Sequence, residues 1–410
     1  MPHPNADVRM RGFASRSTVE EALAWLDGQV RALPVESVAL GDAAGRVLAA
    51  DIQSPLDVPG FDRAMMDGYA VLAADTSGAS SYNPLPLTIL GQALPGAPYG
   101  GSVARGQAVR VMTGAPMPAG ADAVLPAELT ECDEARLVVQ GEVPPGKHVG
   151  RRAEDITHGT RLLPARRRLR PQDLGVLSSV GIASLHVVRR PTVRIVATGD
   201  ELLPPGSTPQ GHKITDANSP MLSALIARDG GYVLSAEIVP DRREAILAAI
   251  RQPCDVLLVS GGSSVGQEDH VPTLLSEHGE LAIHGIAMRP SSPTGLGRLG
   301  AALAILLPGN PVSCLCAYDF FGGRAIRLLG GRSPEWPYRR VRLPLSRKLV
   351  SVVGRVDYAR VTIAAGRVEP VSVSGASVLS STTRADGFVI VPGDSEGYGP
   401  GSEVEVFLYD

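Results

Sequence analysis

The chain has 410 residues, 44% hydrophobic and 20% charged, with 39 Lys and Arg against 42 Asp and Glu. That apolar content excludes a disordered or fibrous chain, and at roughly 100 to 200 residues per domain it calls for two to four globular domains. A formal charge of −3 offers no basic field for nucleic acid, and no apolar run approaches the roughly 20 residues of a membrane span.

The first residues, "MPHPNADVRMRGF", carry no apolar stretch of signal-peptide length, so a cytoplasmic protein is expected. "STVEEALAWLDGQV" then predicts an amphipathic helix, with Leu23, Leu26 and Val30 on one face and Ser17 and Glu20 at capping-box spacing. From about Ser54 to Pro145 short apolar runs alternate with Gly and Pro, the texture of a compact all-β module. "RRLRPQDLGVLSSVG" returns to helical spacing, with Pro171 suited to the first turn and Gly181 to the stop. From Thr192 to Gly330 three apolar strands each run into a Gly-bearing loop and then a helix: "TVRIVATGDE", "DVLLVSGGSSVGQED" and "LAILLPGNPVS". This predicts buried parallel strands with all three loops at the carboxyl edge of one sheet, where open α/β folds bind ligands. The tail from Arg339 is again strand-rich and reads as a small β-domain. Cys132, Cys254, Cys314 and Cys316 form no CxxC pair and read as reduced, buried thiols rather than a disulfide or zinc framework.

Gly261 and Gly262 follow a strand, and Asp269 is expected to open a helix, so backbone N–H groups of "SGGSSVG" can form an anion-binding concavity. "LPGNPVS" is a second such loop, in which Pro308 and Pro311 stiffen the turn, Asn310 suits an unusual backbone angle and Ser313 offers a hydroxyl. A plain tight turn explains either loop about as well. Asp200, Glu201, Asp241 and Asp269 fall near strand ends of one predicted sheet; hard oxygen ligands without His or Cys favour Mg²⁺ over zinc. Singly, Asp269 reads equally as a helix cap and Asp200 as a turn residue. The basic run Lys147, His148, Arg151 and Arg152 could hold a phosphate, though charge runs are usually solvated faces, and Arg166, Arg167, Arg168 and Arg170 are read that way. Spacing alone assigns no role to "FDRAMMDGYAV" or "VRVMTGAPMPAGADAV", and no His is assigned to catalysis.

Seven motifs, in order, resemble the molybdopterin molybdenumtransferases, called MoeA in bacteria, with eukaryotic relatives in the E domains of gephyrin and the plant Cnx proteins. They are "MDGYAV", "MTGAPMPAGADAV", "RRAEDI", "ATGDEL", "ITDANSPML", "SGGSSVGQED" and "LPGNPVS". The resemblance implies a multidomain α/β plus β fold: a helical domain (1–54 and 146–188), an inserted β-domain (55–145), a molybdopterin-binding-type α/β domain with a mostly parallel sheet (189–330) and a C-terminal β-barrel (331–410). It implies an elongated homodimer that converts adenylylated molybdopterin and molybdate to molybdenum cofactor with release of AMP, using Mg²⁺. By motif, Asp67, Thr113, Asp155, Glu201, Asp241 and Asp269 become the catalytic residues, with Glu201, Asp241 and Asp269 as metal ligands and Asp67 and Thr113 supplied by the partner subunit.

Gly261, Gly262, Ser264, Gly266, Pro308, Gly309, Asn310, Pro311 and Ser313 would line the pterin and adenylate side. Molybdate would meet Ser313, Arg360, Ser377 and the family's "KPGKP" segment, which here reads "MRPSSP". Arg289 keeps the first charge with a planar donor, Ser292 removes the second, and Ser291 replaces the Gly. That departure keeps open a cofactor-binding or scaffold paralogue on the same fold. An enzyme using the α/β domain alone, as in the competence-damage nicotinamide family, is disfavoured because both flanking β-regions carry matching motifs. A molybdopterin adenylyltransferase and cofactor-accepting molybdoenzymes are the implied partners.

Overall fold

A computed structural model describes residues 16–262, 270–372 and 378–409. Ser264, Gly266, Asp269 and Ser377 therefore lie outside the described residues. The contacts divide the chain into two compact units, one formed by Ser37–Ala44 and Leu48–Leu185, the other by Met1–Glu36, Gly45–Val47 and His186–Asp410.

In the first unit a six-stranded mixed sheet follows the order Ala123–Pro126, Gly68–Val71, Gln107–Val111, Leu85–Ala93, Arg136–Val139, Thr130–Asp133. It buries an apolar cluster on each face, one around Tyr69, Leu125 and Leu137 and the other around Val109, Val111 and Val124. The helix Pro171–Ser179 begins with Pro as expected. Asp173 closes its first turn, accepting from the Arg170 amide and, through both oxygens, from Arg167. Arg167 and Arg170 are thus tied to a buried acid rather than simply solvated.

The second unit is built on a six-stranded sheet in the order Tyr232–Val239, Thr192–Thr198, Val256–Ser260, Ala302–Leu307, Gly295–Leu299, Glu280–His284. The first four strands are mutually parallel, and Gly295–Leu299 runs antiparallel to both Ala302–Leu307 and Glu280–His284. Helices cover both faces. Ile195, Leu258 and Ile305 point to one core with Leu222 and Phe321, while Val196, Val259 and Leu306 point to another with Ile246 and Leu274. That double burial is why these strands read as continuous apolar runs. The helix Val19–Gln29 inserts Val19, Ala22 and Leu26 into the first of these cores. Its capping box is Thr18 with Glu21, not Ser17 with Glu20. Ser17 pairs instead with the chain near Ile286, donating to Gly285 O at 3.1 Å and accepting from Ala287 N at 2.8 Å.

The last strands follow the order Met288–Arg289, Val356–Ala364, Gly387–Val391, Glu403–Leu408, Arg340–Pro344, with Arg367–Ser372 pairing Val356–Ala364. A knot of buried charge and aromatic rings ties them to the helices. Asp229 accepts from Arg327 and Tyr318, and Asp319 accepts from Arg228, Tyr338 and Tyr358. Burial pushes the Asp319 carboxyl up despite the Arg228 guanidinium beside it. Among the described residues no helix is long and apolar enough to cross a membrane. All four cysteines are free, with Cys132 exposed rather than buried. Burial pushes the Cys314 thiol up to about 12 and that of Cys316 higher still, so neither is poised as a nucleophile.

Candidate active site

The four parallel strands end together, at Thr198, Val239, Ser260 and Leu307, and the residues that follow build the carboxyl edge of the sheet. Gly261 has φ +93°, and a Cβ there would lie 2.6 Å from the Thr198 carbonyl oxygen, so only glycine fits. Its amide donates to Leu307 O at 3.2 Å. Gly261 therefore shapes the turn but does not offer its own N–H to an anion. Gly309 sits so close that a Cβ on it would be 3.5 Å from Gly261 Cα, which brings the two turns into contact.

Asn218, at the start of the helix Asn218–Asp229, clamps both turns: its Nδ2 donates to Ser260 Oγ and to Gly309 O, each at 2.8 Å. Asp216 Oδ1 in turn accepts from the amides of Asn218 and Ser219 at 2.9 and 3.1 Å. Four buried polar atoms here, Thr198 Oγ1, Asp216 Oδ2, Asn218 Oδ1 and Ser219 Oγ, carry no hydrogen bond. A buried unsatisfied group is costly in a finished fold, and four together mark where a polar ligand or ordered water belongs.

Among the acids, the Asp241 amide donates to Asp200 Oδ1 at 3.2 Å, which joins two neighbouring strand ends. The Glu201 carboxylate lies over Gly199, where a Cβ would fall 2.7 Å from its Oε2. Glu201 and Asp241 thus share the edge with the glycine turns, while Asp269, the third expected ligand, is outside the described residues. Among the described residues no group of three or more His, Cys, Asp or Glu is placed to hold a metal.

In the other unit, segments 61–67 and 112–117 are stitched together by backbone bonds such as Ala64 N to Ala115 O at 2.9 Å. This sets Thr113 against Asp67, whose Oδ1 accepts from the Thr113 amide at 2.7 Å and its hydroxyl at 2.8 Å. The amide bond first, then the hydroxyl, holds the Asp67 carboxyl below its ordinary range. Phe61, Met65 and Met112 leave an exposed apolar rim around the pair. Asp155 is exposed on the neighbouring segment. Two members of the basic run already have acidic partners, Arg151 with Asp62 and Arg152 with Asp57.

The residues expected to meet an oxyanion divide by strand alternation. Arg289 lies directly opposite Asp357 in a parallel pair and bonds its carboxylate. Arg360 points to the other face with Tyr358, nearly fully buried, and burial lowers its pKa below the usual guanidinium range. Ser291, at φ +91°, donates from Oγ to Ser313 O at 2.6 Å, so the serine at the family's glycine position is tied to the "LPGNPVS" helix. Ser292 Oγ is buried without a hydrogen bond.

Residues 17–181 match the MoeA N-terminal region (domain I and II), 194–327 a probable molybdopterin binding domain, and 342–409 the MoeA C-terminal region (domain IV). The chain belongs to the MoeA family. It is 33% identical to molybdopterin molybdenumtransferase 2 of Mycobacterium tuberculosis, over 92% of this chain and 96% of that one. It is also 33% identical to the molybdopterin molybdenumtransferase of Bacillus subtilis, over 91% and 89% respectively. Among solved structures, the MoeA molybdopterin biosynthesis protein of Pyrococcus horikoshii aligns with a TM-score of 0.81 at 32% identity, over 97% of this chain and 100% of that one.

In this MoeA-family chain the sequence reading missed Thr198, Asp216, Asn218 and Ser219 as site residues, although "TDANSP" before an apolar run carries a helix-start signal. It also missed Asp357 and Ser351. A charge inside "GRVDYAR" on a strand buried on both sides was the available signal.

Proposed function

We propose that this chain transfers molybdenum from molybdate to adenylylated molybdopterin, releasing AMP and leaving molybdenum cofactor. The observation that carries the reading is the pair of glycine turns clamped by Asn218, with buried polar atoms around them that lack partners. Such an edge suits the phosphate groups of the pterin and the adenylate. Gly262, the turn Pro308–Pro311 and Ser313 would line it; Ser264 and Gly266, assigned to it by motif, are outside the described residues. Glu201, Asp241 and Asp269 would hold Mg²⁺, since their donors are oxygen only, without competing His or Cys. Bound by these carboxylates, Mg²⁺ would supply positive charge to offset that of the pyrophosphate and polarise its bond to the adenylate. Asp67, kept ionised by Thr113, and Asp155 serve the same reaction. Arg289 and Ser292 would meet molybdate, whereas Arg360 points to the other face of its strand and Ser377 is outside the described residues.

The proposed enzyme is a homodimer in which Asp67 and Thr113 complete the partner's site, because the anion-binding turns all belong to the other unit of the chain. The exposed rim of Phe61, Met65 and Met112 supports an interface there. A molybdopterin adenylyltransferase would supply the substrate, and molybdoenzymes would take the product. Purified protein given adenylylated molybdopterin, Mg²⁺ and molybdate should release AMP, and mixed Asp67→Ala and Glu201→Ala dimers should regain part of the activity. Tight pterin binding with no AMP, while a family control turns over, would replace the enzyme reading with a cofactor-binding one.

A further inference from the structure

The register of one short strand pair puts a buried acid where an oxyanion would otherwise be held. Met288–Arg289 runs parallel to Val356–Ala364 with Arg289 opposite Asp357, so the two side chains leave the pair on the same face. Asp357 has no exposed surface. Its carboxylate accepts from the Arg289 guanidinium and from Ser351 Oγ at 2.8 Å, and Arg355 Nε lies 3.4 Å from its other oxygen. Beside it Arg289 Nε and Arg355 Nε, and three residues along from Arg289 the hydroxyl of Ser292, are shielded from solvent without a hydrogen bond. Two guanidinium groups and a hydroxyl with unused N–H and O–H form a donor set for a tetrahedral oxyanion. One carboxylate already occupies part of it.

We infer that Asp357 is a built-in counter-anion that sets the molybdate affinity of this chain. It fixes Arg289 and Arg355 in position before the substrate arrives, and it opposes the dianion by occupying one edge of Arg289 and by its own charge. The substitutions in "MRPSSP" make this weigh more than it would with a lysine at 292, because the cation that could face molybdate unopposed is missing. The inference rests on the proposal that molybdate binds beside Arg289 and Ser292.

The test is isothermal titration of the purified full-length protein with molybdate, and with sulfate as a smaller tetrahedral dianion of the same charge, in the absence of pterin. Asp357→Asn keeps the volume and one accepting oxygen but removes the charge, and it should bind molybdate on the order of tenfold more tightly. Ser351→Ala keeps the charge but removes a donor that disperses it, so it should weaken binding by a few-fold. This second variant keeps the buried ion pair and serves if Asp357→Asn does not fold. Weaker or unchanged binding by Asp357→Asn, or unchanged binding by Ser351→Ala, overturns the inference while leaving the molybdate site in place. No binding by the unmodified protein removes the site itself, and the inference with it.

Discussion

Replacing Asn218 with Ala tests whether the two glycine turns work as one device. The side chain is 8% exposed, and its Nδ2 makes two bonds of 2.8 Å, to Ser260 Oγ and Gly309 O. Each such bond contributes about 1 kcal/mol net, and a buried acceptor stripped of its donor costs about 1 to 3 kcal/mol. Ser260 retains a polar neighbour in Cys314 Sγ at 3.9 Å, so the larger loss falls on Gly309 O. Removing Asn218 Oδ1, itself buried without a partner, returns about 1 kcal/mol. The balance is a loss of about 1 to 3 kcal/mol, concentrated at the turns. Urea unfolding should show a lower midpoint, and AMP release should show KM for the pterin substrate raised about tenfold or more. The molybdate requirement should change little, because Arg289 and Asp357 are held by other bonds. Asn218→Asp should be at least as damaging, since it sets a carboxylate oxygen against Gly309 O at similar volume. If Asn218→Ala unfolds within about 0.5 kcal/mol of the unmodified protein and keeps its pterin KM, the clamp is not what holds the turns.

Asp173 is held far below the usual carboxylate range chiefly by Arg167, so its contribution is present above pH about 4 and is lost as pH falls further. Asp173→Asn should lower stability at pH 7 by about 1 to 2 kcal/mol after solvent screening at Arg170, and should flatten the decline of urea midpoints below pH about 4. Ser291→Gly relieves a left-handed backbone worth about 1 to 2 kcal/mol but loses one bond to Ser313 O, so its unfolding midpoint should hardly move. Ser291→Ala keeps the strain and loses the bond, and should be clearly less stable. Thr113→Val removes the hydroxyl from Asp67 but leaves the amide, so the acid limb of kcat/KM for AMP release should move to higher pH; an unmoved limb would mean Asp67 does not act ionised. Ser292→Lys places an ammonium clear of the bond to Asp357 and should lower half-saturating molybdate by about one decade, with the pterin requirement unchanged.

How much of this could be read from the sequence depended on whether the deciding contact was local. The strands "RIVAT", "DVLLVS" and "LAILL" announced themselves because burial on both faces leaves no polar alternation, and the Gly and Pro that end them fixed the ligand edge. The first helix was legible but its cap was not: Ser17–Glu20 and Thr18–Glu21 have the same spacing, and what decides between them is the pairing of Ser17 with Gly285 and Ala287. Arg151 and Arg152 stayed open between a phosphate site and a solvated face because Asp62 and Asp57, which pair with them, stand about ninety residues earlier. The lysine segment shows the same limit in the place where it matters most. Taken as a string, "MRPSSP" keeps one cation and loses another; taken with its strand partner, the cation it keeps is already bonded to Asp357. Charge counted along one segment overstates what a dianion meets, because the opposing carboxylate enters through register, and register is set by strand neighbours 68 residues apart.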